Sequence, residues 1–162
     1  MRQSIPVVLA TILLTMATIT AHAKAVWHRV VITPGDHFGI ARLERAAERG
    51  QVRAQTQLGF MHETGRGVPQ DYIMAAWWYR QAAEQGYPPA QHLLGLGYNK
   101  GHGVPLDYVE AHKWLNLSAV RANAANREYF ARLRTAVGSE MSRSEIATAQ
   151  RRTRVWYPKR AQ

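Results

Sequence analysis

The 162-residue chain has no cysteine. No disulfide can brace it, no thiolate can hold a metal, and no lipid can be attached at a cleavage-site cysteine, so the fold must rest on packing alone. Acid is scarce: eleven Asp and Glu stand against 21 Lys and Arg, a net charge of +10. The alternating pattern of half-buried strands is missing, which leaves helices as the building elements. Catalytic signatures are missing as well. There is no Gly-x-Ser-x-Gly and no Ser-x-x-Lys, the two spacings that expose an activated serine. Gly65-x-Gly67 lacks the Lys-Ser/Thr of a phosphate loop. The seven histidines never fall as His-x-x-x-His or His-Glu-x-x-His, the spacing that puts two ligands on one helix face. His62-Glu63 and His102, near two loop mouths, leave a weak metal site between units open. Solvated or half-buried histidines are the plainer account. We expect no catalytic centre, cofactor or metal.

What is present begins with an address. Arg2 supplies a positive start, Ile5 to Thr20 carries no charge, and Ala21-His22-Ala23 is a small-x-small cleavage site. This predicts a signal peptide over 1–23. An uncleaved membrane anchor is the alternative, weakened by Thr11, Thr15, Thr18 and Thr20. The expected location is periplasmic or secreted, with no stable anchor after cleavage. An extended lead-in is expected over 24–34 and a helical domain over 35–162.

The remaining charge is uneven. Residues 121–162 hold ten basic and three acidic side chains, +7, whereas 24–120 hold ten and eight, +2. A basic end suggests nucleic acid in general, but export points instead to an anionic envelope polymer or an acidic protein. A solvated helix face that keeps the protein soluble is the simpler reading.

Sliding the sequence by 36 aligns 46–81 with 82–117. The matches include Ala54/Ala90, Gln55/Gln91, Leu58/Leu94, Gly59/Gly95, Asp71/Asp107, Ala75/Ala111 and Trp78/Trp114. A fixed period of this size marks a solenoid in which each unit covers its neighbour's apolar face. Each unit reads as two helices, near 51–64 with 71–85 and 88–100 with 107–120. Pro88 and Pro89 suit a helix start, and Gly65 and Gly101 suit a left-handed stop. Asp71 and Asp107 are N-caps, and Asp107-x-x-Glu110 and Ser142-x-x-Glu145 read as capping boxes. Tyr72, Ala75, Tyr79 and Ala82 form one expected buried stripe. Gly59 and Gly95 cost about 1 kcal/mol each inside a helix, which makes sense if the paired helix crosses closely there, at Ala75 or Ala111. Ile146, Ala149 and Val155, with Ala147 and Trp156 nearby, are expected to cover the exposed end of the array.

Leu94-Gly95-x-x-Tyr98-x-x-Gly101-x-Gly103-Val104, with Asp107, Ala111-x-x-Trp114 and the run "WYRQAAEQG" from Trp78, resembles Sel1-like repeats, relatives of the tetratricopeptide family. Met141 to Trp156 is similar to the capping end of short bacterial members. Gly35 to Arg49 looks like the second helix of a preceding half unit. The resemblance implies an all-α fold: a short α-solenoid of antiparallel helix pairs, with repeats over 51–86 and 87–122 and capping helices over 123–162. It also implies adaptor or scaffold work with no reaction of its own. The family tyrosine, present as Tyr98, is His62 in the first unit, so looser packing is expected there.

Trp78 and Trp114 share a repeat position and are expected in the core. Trp77 has Lys113 as its counterpart 36 residues later and is expected outside. The candidate partner contacts are Gln55, His62, Gln91 and Tyr98 on the first helices, Trp77, and Arg151, Arg152 and Arg154 in the basic end. The expected partner is another envelope protein, with an anionic polymer such as peptidoglycan as the alternative.

Overall fold

The computed structural model describes residues 37–159, with side chains from residue 39 onward. The signal-peptide, lead-in and anchor expectations lie outside these residues. Among the described residues there are seven helices and no strand. They are α1 His37–Glu48, α2 Val52–Thr64, α3 Tyr72–Glu84, α4 Pro88–Lys100, α5 Tyr108–Arg121, α6 Ala124–Ser139 and α7 Arg143–Arg154. The all-α solenoid read from the period is the fold observed. α2 pairs with α3 and α4 with α5, α3 stacks on α4, α1 covers α2, and both α6 and α7 pack on α5. No described helix is long and apolar enough to cross a membrane.

Both units are closed by the same local chemistry. The Asp71 carboxylate accepts from the Ile73 and Met74 amides, and Asp107 from that of Glu110, so amides with no partner in the first turn are satisfied. The Asp71 amide donates to the His62 carbonyl at 2.8 Å and the Asp107 amide to that of Tyr98 at 3.1 Å. The loop is thereby tied to the helix it leaves. Gly65 and Gly101 end α2 and α4 at φ 69° and 68°, a backbone region costly for any residue with a Cβ.

The expected capping box at Asp107 is only half made. Glu110 turns away from the cap and binds Lys113 at 2.9 Å and Arg152 of α7 at 2.7 Å, because a neighbouring helix offers it two cations. At Ser142 the full box forms with Glu145.

The core repeats as the sequence does. Ala47, Ala54, Leu58 and Trp78 form one cluster. Ala83, Ala90, Leu94 and Trp114, their counterparts 36 later, join Ala75, Tyr79, Ala82 and Leu117 in the next. Trp78 and Trp114 are both buried, and burying each indole is worth about 4–6 kcal/mol at ~25 cal/mol per Å². Their Nε1 atoms find no acceptor, at a cost of about 1–3 kcal/mol each. Apolar burial wins.

Two members of expected apolar faces lie outside. Tyr72 is 39% exposed. It opens α3, so its ring lies against His102 of the next loop at 4.7 Å and its hydroxyl takes a hydrogen bond from Gln70. Val155 is 72% exposed because α7 ends at Arg154. Trp156 turns inward in its place, edge-on to Trp114 and under the Arg121 guanidinium. The chain then returns to α3, where the Lys159 amide meets the Glu84 carbonyl at 2.7 Å and its ammonium meets the Glu84 carboxylate. A carbonyl in the last turn of α3 is satisfied from 75 residues away.

Paired helices meet at the interior glycines. A Cβ on Gly95 would lie 2.9 Å from Leu115 Cγ and 3.2 Å from the Ala111 carbonyl oxygen, and one on Gly59 would lie 2.7 Å from the Tyr79 ring and 3.1 Å from the Ala75 oxygen. Gly95→Leu should therefore lower the unfolding free energy by about 1–3 kcal/mol or more through overpacking. Gly138, whose added Cβ would sit at an ordinary 3.6 Å from His112, is the contrast: Gly138→Ala should be neutral or stabilising by a few tenths of a kcal/mol. Denaturant melts of both variants check the pair, and equal losses would show that helix spacing is not set at Gly95.

Candidate functional site

The first-helix glutamines turn out to be structural. Gln55 is buried and donates from Nε2 to the Ala47 carbonyl at 3.1 Å, while its Oε1 accepts from Gln85 at 2.8 Å. Gln91, fully buried, donates to the Ala83 carbonyl at the same 3.1 Å. Each amide reaches back eight residues to a carbonyl near the C-terminal end of the preceding helix, where no intrahelical partner exists. Neither is open to a partner, which removes both from the expected contacts. Amphipathic spacing could not reveal this, because a buried amide and an exposed one read alike.

Tyr98 is half-buried, and its hydroxyl accepts from Arg80 at 2.6 Å, joining α3 to α4. Burial raises its pKa, against the opposing charge of Arg80. His62 is half-buried, with Nδ1 enclosed and unpartnered. The nearby Tyr79 hydroxyl donates to Glu63 at 2.6 Å, and burial first, then the Glu63 charge, raises the Tyr79 pKa far above its usual range. His62, Glu63 and His102 are not gathered into a metal-binding group.

Trp77 is 47% exposed and stands beside exposed Ile73, one turn before it, and Met74. Their counterparts in α5 are Val109, Glu110 and Lys113, where Glu110 and Lys113 pair with each other. The positions of Met74 and Trp77 are thus apolar and open in the first unit, and their counterparts charged and paired in the second. Of the candidate arginines, Arg152 is held by Glu110 at 2.7 Å, Arg151 bonds Thr148, and Arg154 has no side-chain partner among the described residues. Burial pushes the Glu110 carboxyl up, but Lys113 and Arg152 outweigh it and hold the carboxyl below the ordinary range. The structure leaves the tryptophan and the arginines on different helices, α3 and α7.

The family model for the Sel1 repeat matches residues 52–87 and 88–119, the two α2–α3 and α4–α5 pairs. The chain carries two Sel1 repeats. Among solved structures it resembles a protective antigen of uropathogenic Escherichia coli with an SLR fold, at 30% identity and TM-score 0.72 over 88% of this chain. It also resembles a Sel1 repeat protein from Oxalobacter formigenes, at 38% identity and TM-score 0.51 over 52% of this chain. This chain spans 30% of the first protein's length and 64% of the second's. No curated protein matches. Proteins built of Sel1 repeats generally mediate protein–protein interaction and are typically non-catalytic.

Where the Sel1 array meets its C-terminal helices lies His92, a residue whose role its sequence context does not announce. It is 7% exposed, stacked on Phe130 of α6 at 4.3 Å, with Nδ1 unpartnered. Burial lowers its pKa to about 4. No local motif could signal it, since the stacking partner lies 38 residues on.

The Sel1 glutamine contact makes a stability prediction. Gln91→Ala should cost about 2–4 kcal/mol, mainly through the cavity it leaves, since the Ala83 carbonyl keeps the Gly86 amide at 3.0 Å, measured on the isolated protein with no partner added. A second prediction concerns acid. His92 is neutral when folded and takes up a proton more readily when unfolded, so its contribution is present above about pH 6.5 and lost as pH falls toward about 4. Wild type should lose melting temperature relative to His92→Phe, which cannot titrate, as pH falls through that window. A constant difference would show that His92 is not held neutral.

Proposed function

We propose that this Sel1 repeat protein is an exported, non-catalytic adaptor that binds another envelope protein through the apolar face of α3. The observation that carries this reading is Trp77: a large aromatic ring 47% exposed, beside Ile73 and Met74, on a rigid paired helix. Tryptophans in such positions are enriched among the residues that dominate protein interfaces. Export rests on Arg2, the uncharged stretch from Ile5 to Thr20 and Ala21-His22-Ala23. A second reading, binding of an anionic envelope polymer such as peptidoglycan, is supported by Arg143, Arg151 and Arg154, which are exposed and, among the described residues, in no ion pair.

A photo-crosslinking amino acid at position 77, compared with one at exposed Arg45 of α1, tests the adaptor reading in intact cells. The expected result is a discrete adduct with one protein from position 77 alone. Trp77→Ala should lose the complex while the protein stays folded, at a stability cost of about 0.5–1.5 kcal/mol for the edge-on contact with Trp78 at 4.4 Å. A folded, correctly located protein with no adduct at 77 but salt-sensitive cosedimentation with peptidoglycan would favour the polymer reading instead.

A further inference from the structure

Helices α6 and α7 both rest on α5 yet barely touch each other. The turn over Glu140 and Met141 joins them, and Met141 packs into the cluster of Ala111, Leu115 and Val137 beneath. Between the two helices a cleft of about 650 Å³ remains open, in the size range of sites that enclose ligands or short peptide segments. Its walls carry Arg134, Thr135 and Ser139 from α6 and Gln150 and Arg154 from α7, with Asn116 on the floor. No lining residue is acidic. Asn116 Oδ1 accepts from Arg134 at 3.0 Å and so holds one guanidinium in place, while the Arg154 side chain on the opposite wall is unpartnered among the described residues. Also on the floor, His112 is 6% exposed with an unpartnered Nδ1, and Ile146 adds a half-buried apolar contact.

Two cations on the two walls of a cleft that contains no acid favour an anion between them. We propose that this cleft docks an acidic peptide segment of the partner protein, with carboxylates between Arg134 and Arg154. Guanidinium groups pair with carboxylates through two parallel hydrogen bonds. Asn116, Thr135, Ser139 and Gln150 match the alternating donors and acceptors of a peptide backbone, and Ile146 suits an apolar side chain between two acids. A polyanionic chain held by charge alone needs neither feature, and it would engage Arg143 and Arg151 outside the cleft equally. The proposal rests on the protein-binding reading above and adds a second contact, on another helix pair, with its own chemistry.

Fluorescence anisotropy with fluorescein-labelled hexaglutamate and the full mature protein tests it. Arg134→Gln combined with Arg154→Gln should weaken binding by about tenfold or more, as loss of charge-assisted pairs does. Arg143→Gln combined with Arg151→Gln should change it less than about twofold, because those side chains are solvated. Arg154→Gln alone removes no contact that folding uses and should still weaken binding severalfold. Thr135→Trp, which fills the cleft and keeps both charges, should do the same. Equal losses from the two double variants would overturn the proposal in favour of diffuse charge. So would polygalacturonate binding that depends on the cleft arginines when hexaglutamate does not bind. Failure of hexaglutamate to bind, with the adduct at position 77 still forming, would remove the cleft and leave the adaptor reading standing.

Discussion

Two helices can lie this close only where one of them lacks a side chain. In each repeat that place is the interior glycine, Gly59 against the Ala75 carbonyl and Tyr79 ring, Gly95 against the Ala111 carbonyl and Leu115. The rest of the array follows from that spacing. With the backbones so near, Leu58 and Leu94 are sealed from water and Trp78 and Trp114 fill the space between units. The penalty of a glycine inside a helix is about 1 kcal/mol, small beside the burial of one indole. The same spacing draws Gln55 and Gln91 inward, where their amides complete the end of the preceding helix.

A solenoid must also stop. Here the last unit is closed by helices that do not continue the repeat: α6 and α7 sit on α5 without packing on each other. Trp156 closes over Trp114, and the chain returns to pair Lys159 with Glu84. Glu110 gives up half of its expected cap to anchor Arg152, so one acid in the repeat fastens the terminal helix. The basic end is therefore not one uniform surface. Arg152 is used in assembly, while Arg154 is left facing a cleft.

Function enters where the units differ. Met74 and Trp77 stand open on α3, while their counterparts Glu110 and Lys113 pair on α5. Positions equivalent by repeat have thus been divided between holding the array together and presenting a surface. The shared positions record packing, and the unshared ones record what the surface is for.

The sequence by itself determined the helical class, the period, the paired helices, the caps at Asp71, Asp107 and Ser142, the close crossing at the glycines, and which tryptophans of the repeat are buried. Those features depend on local backbone chemistry and on apolar spacing, and both are written along the chain. The burial of Gln55 and Gln91, the stacking of His92 on Phe130 and the cleft between α6 and α7 were decided by tertiary structure alone. Each depends on which distant surface comes to lie against a residue, and Glu110 shows why spacing cannot supply that. Its position promised a cap, and a neighbouring helix offered it a stronger partner.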